Sequence, residues 1–369
     1  MPSKPAKKRK RERVGKLSQA AELVNLVNSS LGKPVVKLGA DASFQIVRIP
    51  TGSLTIDRIT GGGFALGRSV EIYGDESSCK SLIAYRTMAL SQQRGNLCAL
   101  IDPERSFDPA WYAHLGGIPE ELIIYPDRDS DADFTADEAI GVMLTLADNA
   151  VEMNLEVVTI DSVAAMVPHE ETKKDPREEP RVAGQARMMS RALRRITAVN
   201  SRTLFIWLNQ ERMNINLTFG GKPRTQPGGR ALRFYATSRI ELRRAQKVTA
   251  KKKRASRGEL KETDVPTGNW IQARSEKDKS TRPHQTGSFI FDNSESEIDL
   301  ASEIIQLGLE DDLIEKSGNT YTYENVDGEQ FKGTWKPFRK QLRENPYLQA
   351  ELIEAISDMT VELSRVGDG

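Results

Sequence analysis

SVEIYGDESSCKS, residues 69–81, runs from an apolar strand through a glycine-led loop into the start of a helix. Val70, Ile72 and Tyr73 suit a pleated, buried surface. The loop matches G-x-x-x-x-G-K-[ST] at Gly74, Lys80 and Ser81, while Cys79 stands where that pattern has its second glycine. Such a loop cradles phosphates with its backbone N–H groups, so Gly74, Asp75, Glu76, Ser77, Ser78, Cys79, Lys80 and Ser81 are predicted to bind a nucleotide. Lys80 is expected to reach the β- and γ-phosphates, and Ser81 to ligate Mg2+. An ordinary strand–turn–helix with a solvated lysine has the same outline, so the loop alone leaves both readings open.

Working outward, LCALI (97–101), LIIY (122–125), EVVTI (156–160) and TLFIWL (203–208) are nearly continuous apolar runs. Runs of that kind suit strands covered on both faces. Residues 80–94, 134–154 and 182–200 read as helices between them, and the alternation predicts a parallel α/β sheet. The strand ends carry polar groups. Asp161 closes one strand, as a Mg2+-holding carboxylate would. Glu104 lies just past another, where a carboxylate can orient or deprotonate a water. Asn209 and Gln210 end a third. Ligands of such sheets sit at the carboxyl ends of the strands, so these groups together favour phosphate chemistry.

A length of 369 residues predicts two or three domains. A hydrophobic share of 38% is enough for a sizeable core and argues against a fibrous or wholly disordered chain. No apolar run approaches the ~18 residues of a membrane span, and no signal peptide is recognisable. Two cysteines make no disulfide framework and fit a reducing setting; with the three histidines they show no metal-ligand spacing. Lys+Arg (53) and Asp+Glu (52) nearly balance, yet residues 4–16 and 247–257 are strongly basic. Each run reads either as a phosphate contact or as a solvated tail or loop. Residues 1–16 are predicted disordered, because almost no large apolar side chain interrupts the charge. Leu17, Ala20, Ala21, Val24, Val27 and Leu31 recur at helical spacing, closed by Gly32 and Pro34. Two long polar segments, 169–186 and 211–229, interrupt the α/β order. After about residue 293 a linker leads to a small α/β unit, with helices at 297–307, 335–344 and 346–364 and a hairpin near 320–332.

TGSLTIDRITGGG, GRSVEIYGDESSCKS, CALIDPERSFDP, VVTIDSVAAMVP, ARMMSRALR, LNQERM, GGRALRFYA and IIQLGLEDDLIEKSGNTYTY follow one another in the order of the bacterial RecA recombinase family. The chain resembles that family from residue 17 to about 360. The resemblance implies an α/β fold with a RecA-type P-loop ATPase core and a mainly parallel sheet (48–293). It implies an N-terminal helix and subunit-packing segment (17–47) behind the basic arm (1–16), and a small α/β C-terminal domain that gates DNA (294–369). It further implies an ATP- and Mg2+-dependent recombinase of the cytoplasm, associated with the nucleoid. Such proteins assemble as helical homo-polymers on single-stranded DNA and exchange strands with homologous double-stranded DNA. In this sequence Glu104 then corresponds to the catalytic base and Gln210 to the γ-phosphate sensor. Asp108 and Trp111 fall at the adenine contacts, Trp111 where the family usually has Tyr. Lys277 and Lys279 match the lysines that reach the neighbouring subunit's ATP. Segments 169–186 and 211–229 match the two DNA-binding loops. Val182 is the wedge and Arg187 a phosphate contact in the first; Arg212, Met213, Ile215, Phe219, Gly228 and Gly229 belong to the second.

Cys79 departs from the family. A Cβ and sulfur there crowd the phosphates, with strain of ~1–3 kcal/mol, equivalent to as much as about a hundredfold in affinity or rate. Three readings follow: a slower ATPase, an ATP-binding DNA filament protein with little or no hydrolysis, and a thiol switch. The last expects a helix N-terminus beside Lys80 to lower the thiol's pKa. Intact Glu104, Gln210 and the lysine pair favour turnover. A related hexameric helicase or clock-type ATPase is opposed by the two long loops, the C-terminal unit and the lysine pair.

Overall fold

A computed structural model of the chain describes residues 4–127, 129, 134–166, 182–200, 202–213, 224–225, 231–256 and 259–365. At 4–15, 182–183, 212–213, 224–225, 250–256, 259–264 and 365 it describes the backbone alone. The chain forms two compact units, Met1–Val47 and Arg48–Gly369. In the first, helix α1 spans Lys4–Leu31. The basic stretch expected to be disordered is therefore helical from residue 4 onward. Lys, Arg, Glu and Ala are all good helix formers, so a lack of apolar side chains does not forbid the helix. Asn28 ties the exit from α1: its side chain accepts from the N–H groups of Val35 (2.9 Å) and Val36 (2.8 Å) and donates to the Val36 carbonyl (2.9 Å).

The second unit begins with β1 (Arg48–Ile49), α2 (Leu54–Thr60) and β2 (Phe64–Ala65). Strand and helix then alternate: β3 (Ser69–Gly74), α3 (Lys80–Gln92), β4 (Leu97–Ile101), α4 (Pro109–His114), β5 (Leu122–Tyr125), α5 (Ala136–Asn149), β6 (Leu155–Ile160), α6 (Val182–Val199) and β7 (Leu204–Gln210). Two-residue strands β8 (Arg212–Met213) and β9 (Arg224–Thr225) pair antiparallel and precede α7 (Ala231–Tyr235). A long hairpin, β10 (Ser238–Ser256) and β11 (Glu259–Asp278), is followed by β12 (Thr286–Asp292) and β13 (Glu297–Ile298). The C-terminal part comprises α8 (Leu300–Glu310), the three-stranded sheet β14 (Glu315–Ser317), β15 (Thr320–Glu324) and β16 (Gln330–Thr334), then α9 (Trp335–Glu344) and α10 (Pro346–Arg365).

Among the described residues the central sheet has nine strands, in the order β13-β12-β11-β10-β3-β7-β6-β4-β5. Pairing from β10 through β5 is parallel; from β10 back to β13 it is antiparallel. The continuous apolar runs are explained by neighbouring residues serving opposite faces. Leu204, Ile206 and Leu208 of β7 join one core with Ile83 and Met88 of α3. Phe205 and Trp207 join the other, with Met143 of α5 and Leu193 of α6. Full burial of such side chains stabilises by roughly 1.5–3 kcal/mol each, enough to hold the strands against their ordering entropy. A third core lies under the C-terminal helices and strands, around Ile304, Phe338, Leu342 and Leu352, and reaches Leu54 of α2.

The expected alternation is present, but half of the sheet was not anticipated. Strands β10 to β13 contain polar residues at alternate positions, as in Ile240-Glu241-Leu242-Arg243, and lack the apolar density of the parallel half. The basic run 247–257, read as either a phosphate contact or a solvated tail or loop, lies on β10 through residue 256. Segment 169–186 overlaps the helix predicted over 182–200, and from Val182 onward the helical reading holds, as α6 starts there.

Candidate functional site

Parallel pairing brings four strand ends to one edge of the sheet. Gly74 on β3 pairs with Gln210 on β7. Trp207 on β7 pairs with Ile160, next to Asp161, and Ile160 with Ile101 on β4, shortly before Glu104. The phosphate-loop residues, Gln210, Asp161 and Glu104 thus follow adjacent strands.

The loop between β3 and α3 is built on close approach. A Cβ on Gly74 would sit 2.0 Å from the Leu242 carbonyl oxygen, so a side chain there collides with β10. Ser77 and Cys79 adopt left-handed torsions, with φ of 56° and 68°. Cys79 is the N-cap of α3 and makes no side-chain cap bond. The positive end of the α3 dipole lies at this N-terminus, which favours an anion. The Lys80 ammonium folds over the loop and donates to the carbonyls of Asp75 (2.7 Å) and Gly74 (3.3 Å). Burial lowers its pKa, while Asp161 and Asp75 pull it back up.

Ser81 Oγ donates to Asp161 Oδ2 at 2.7 Å. Burial, helped by Glu104 and Asp102, pushes the Asp161 carboxyl up to about 6, against the Ser81 hydrogen bond and Lys80. The exposed Glu104 accepts a short hydrogen bond from Ser162 Oγ, so it is held beside Asp161. Asp102, 2% exposed, shapes the turn that presents Glu104 by accepting from Phe107 N at 2.9 Å and Ser106 Oγ at 3.4 Å. Sequence reasoning missed Asp102 and Ser162. Asp102 carries the same signal as Asp161, an aspartate closing an apolar strand; Ser162 carries none.

A cleft of about 440 Å³ opens beside the loop, between Cys79 and Trp111 on one side and Arg244, Asn269, Phe291 and Asn293 on the other. The Trp111 ring is tilted against Tyr85, 5.3 Å between centroids. Asp108 caps α4, its Oδ1 accepting from the N–H groups of Ala110 (2.8 Å) and Trp111 (3.3 Å). Asn269, Phe291 and Asn293 carry no such signal, because they lie on or just past the antiparallel strands β11 and β12. Burial pushes the Cys79 thiol up to about 12, outweighing Lys80. The lowered thiol pKa expected for a redox switch is therefore reversed in direction.

Lys277 and Lys279 lie apart from these groups. Lys277 pairs with Arg239, which pairs with Glu71, so the β10–β11 hairpin carries Lys277 away from the Gly74 end of β3. Its ammonium donates to the carbonyls of Arg233 (2.6 Å), Phe234 (3.2 Å) and Ala236 (2.7 Å) at the end of α7. Lys279 reaches the Phe234 carbonyl at 3.3 Å. Arg187 is exposed on α6 and borders a groove facing α5. Val182 begins α6, and Arg212 and Met213 form β8, which with β9 closes the base of segment 211–229; only their backbones are described. Ile215, Phe219, Gly228 and Gly229 lie outside the described residues. Among the described residues no helix is long and apolar enough to cross a membrane.

Residues 18–289 match the model of the RecA N-terminal domain. Over 345 residues, 92% of each chain, the protein is 35% identical to the "Protein RecA" of Rickettsia canadensis (strain McKiel). Over 337 residues, 90% of this chain and 88% of the relative, it is 37% identical to the "Protein RecA" of Arthrobacter sp. (strain FB24). The "Protein RecA" of Rickettsia bellii (strain RML369-C) is 34% identical over 358 residues, 96% of each chain.

Proposed function

We infer how this site works from one premise: the chain belongs to the RecA family, and it is an ATP-dependent recombinase and a DNA-dependent ATPase. The observation that carries the assignment of roles is the convergence of the phosphate loop, Gln210, Asp161 and Glu104 on neighbouring strand ends.

The residues suit ATP with Mg2+. Ser81 and Asp161 supply paired hard oxygen donors, and the remaining ligands of such an ion come from phosphates and water. A Mg2+ ion held there would neutralise negative charge on the phosphates. Lys80 exchanges the carbonyls of Gly74 and Asp75 for phosphate oxygens. Glu104, steadied by Ser162, orients the attacking water and takes its proton. Trp111 stacks on the adenine, and Asp108, whose Oδ1 is committed to its helix cap, contacts the base edge through Oδ2. Gln210 senses the γ-phosphate and passes that state into segment 211–229, which it directly precedes. Lys277 and Lys279 act across a subunit boundary on the next ATP, a role that fits the register carrying Lys277 away from its own loop.

Single-stranded DNA binds along segments 169–186 and 211–229. Arg187, Arg212 and the backbone of Gly228 and Gly229 hold phosphates; Val182, Met213, Ile215 and Phe219 meet the bases. Residues 17–47 pack on the next subunit of a helical homo-polymer, and 294–369 gate entry of the homologous duplex. The protein works in the cytoplasm, at the nucleoid. The test is ATP hydrolysis with and without single-stranded DNA, alongside strand exchange between a single-stranded circle and a homologous linear duplex. Strong stimulation with ATP-dependent exchange is expected. Turnover indifferent to DNA, or a closed ring in place of an open filament in electron micrographs, would overturn the assignment.

A further inference from the structure

We propose that Glu71 is a positioning residue through which one subunit links its own γ-phosphate sensor, Gln210, to the lysine it offers to the neighbouring nucleotide, Lys277. The proposal rests on the roles given above to Gln210 and Lys277.

Glu71 lies in the middle of β3 and is 1% exposed. Its neighbours Val70 and Ile72 are fully buried, so packing alone calls for an apolar side chain nearby. A carboxylate in that position is costly unless paired and hydrogen-bonded. Both of its oxygens are engaged. Oε1 accepts from Asn209 Nδ2 at 3.0 Å, and Oε2 accepts from Arg239 Nε at 2.5 Å.

Each partner leads onward. Asn209, on β7, is also 1% exposed, and its Oδ1 accepts from the backbone N–H of Gln210 at 3.0 Å. The Asn209 amide therefore clamps the peptide of the sensor to Glu71. On the other side, Arg239 lies opposite Glu71 in the β10–β3 pair and opposite Lys277 in the β10–β11 pair. Its guanidinium rests over the Tyr73 ring, 4.7 Å from the centroid. Lys277 in turn binds the last carbonyls of α7, the helix into which segment 211–230 runs. Hydrogen bonds thus run from the Gln210 peptide through Asn209 and Glu71 to Arg239, and the β10–β11 register sets Arg239 directly opposite Lys277, which holds α7.

The path joins two groups that must move. Gln210 turns toward a γ-phosphate, and Lys277 leaves the α7 carbonyls to reach the next subunit. Shifting the hold of Glu71 between Asn209 and Arg239 changes how strongly the Arg239 charge bears on Lys277. Burial, Lys279 and Arg239 all disfavour the charged ammonium of Lys277, whereas Glu71 favours it. Glu71 thus bonds the residue that clamps the sensor's peptide and the arginine that faces Lys277, so a change at either end reaches the same carboxylate.

The test uses the full chain and Glu71→Gln, which retains an acceptor for Asn209 and the side-chain shape while removing the charge. Binding of a fluorescent ATP analogue without DNA is expected to stay within about twofold. DNA-stimulated kcat is expected to fall about tenfold, and the Hill coefficient for ATP to drop toward one. Adding Glu71→Gln to Gln210→Ala is expected to cost nothing further. Should Glu71→Gln fail to fold, Asn209→Ala cuts the same path while leaving the Glu71–Arg239 pair, and the same losses are expected. A folded variant with wild-type stimulation and cooperativity, or with a loss additive to that of Gln210→Ala, overturns the relay alone. A wild-type protein without DNA stimulation overturns the functional reading and the relay with it.

Discussion

Replacing Cys79 by glycine separates two costs that the structure locates at one residue. Its φ of 68° and ψ of 22° are left-handed torsions, which disfavour a side chain by roughly 1–2 kcal/mol. Cys79→Gly relieves that strain. It also loosens the unfolded chain by about 0.4–1 kcal/mol and removes a partly buried thiol worth roughly 1 kcal/mol of packing. These terms nearly cancel, so stability is expected to stay within about 1 kcal/mol of wild type. Nucleotide affinity has no such cancellation. If admitting phosphates past the Cβ and sulfur costs ~1–3 kcal/mol, removing them tightens ATP binding about tenfold, and at most about a hundredfold. Urea titration gives the stability change and isothermal titration with a non-hydrolysable ATP analogue gives the affinity. Cys79→Ala divides the causes, since it retains the Cβ and the torsional cost but loses the sulfur. The reasoning is refuted if Cys79→Gly binds no tighter than twofold over wild type, or if it destabilises the protein by more than about 2 kcal/mol.

Glu104→Gln is expected to lower DNA-stimulated turnover by about 10²–10⁴-fold with ATP still bound, as measured by steady-state hydrolysis beside nucleotide titration. Withdrawal from water, with a contribution from Glu303, raises the Asp57 carboxyl to about 7 despite the hydrogen bonds from Thr51. The unfolded chain ionises this group near pH ~4, so stability falls as pH rises from about 4 to about 7, where only the unfolded state has lost the proton. Asp57→Asn is accordingly expected to stabilise by about 1–3 kcal/mol at pH 8 in urea melts and by little near pH 4; an equal gain at both values would exclude this origin. Gly74→Ala drives a Cβ to 2.0 Å from the Leu242 carbonyl and is expected to cost more than about 2 kcal/mol. Gly95→Ala, at φ +81° with nothing within 4 Å, is expected to cost only about 1–2 kcal/mol; similar melts for the two would show that β10 yields to the intruding group.

Much of the site was legible because its residues close apolar runs. Asp161 after EVVTI and Gln210 after TLFIWLN needed only the strand to be recognised, and the parallel register then made them neighbours. Lys80 and Ser81 were readable despite Cys79, because strand, loop and helix follow in the required order. The cleft wall formed by Asn269, Phe291 and Asn293 was not legible, since it depends on β11 and β12, whose half-polar pattern hides them among loops. Asn209 could be named as a strand-end residue but not paired with Glu71, and Ser162 could not be found at all, because the Asn209–Glu71 and Ser162–Glu104 pairs depend on tertiary packing alone. The helical start at residue 4 was missed for a different reason: charge was read as disorder where helix propensity prevailed.

The sheet order also bears on synthesis. β3 leaves the ribosome early, yet among the described residues its sheet neighbours are β7 and β10, both made far later. Until they arrive, a strand with all six residues buried in the finished fold has two open edges. A nascent chain that has emerged only through α5 already carries Lys80 and Glu104 but neither β7 nor β10. Among the described parallel strands, β3, which leads into the phosphate loop, therefore waits longest for its neighbours, and the interval in which it needs shelter from other chains is set by the distance to β7.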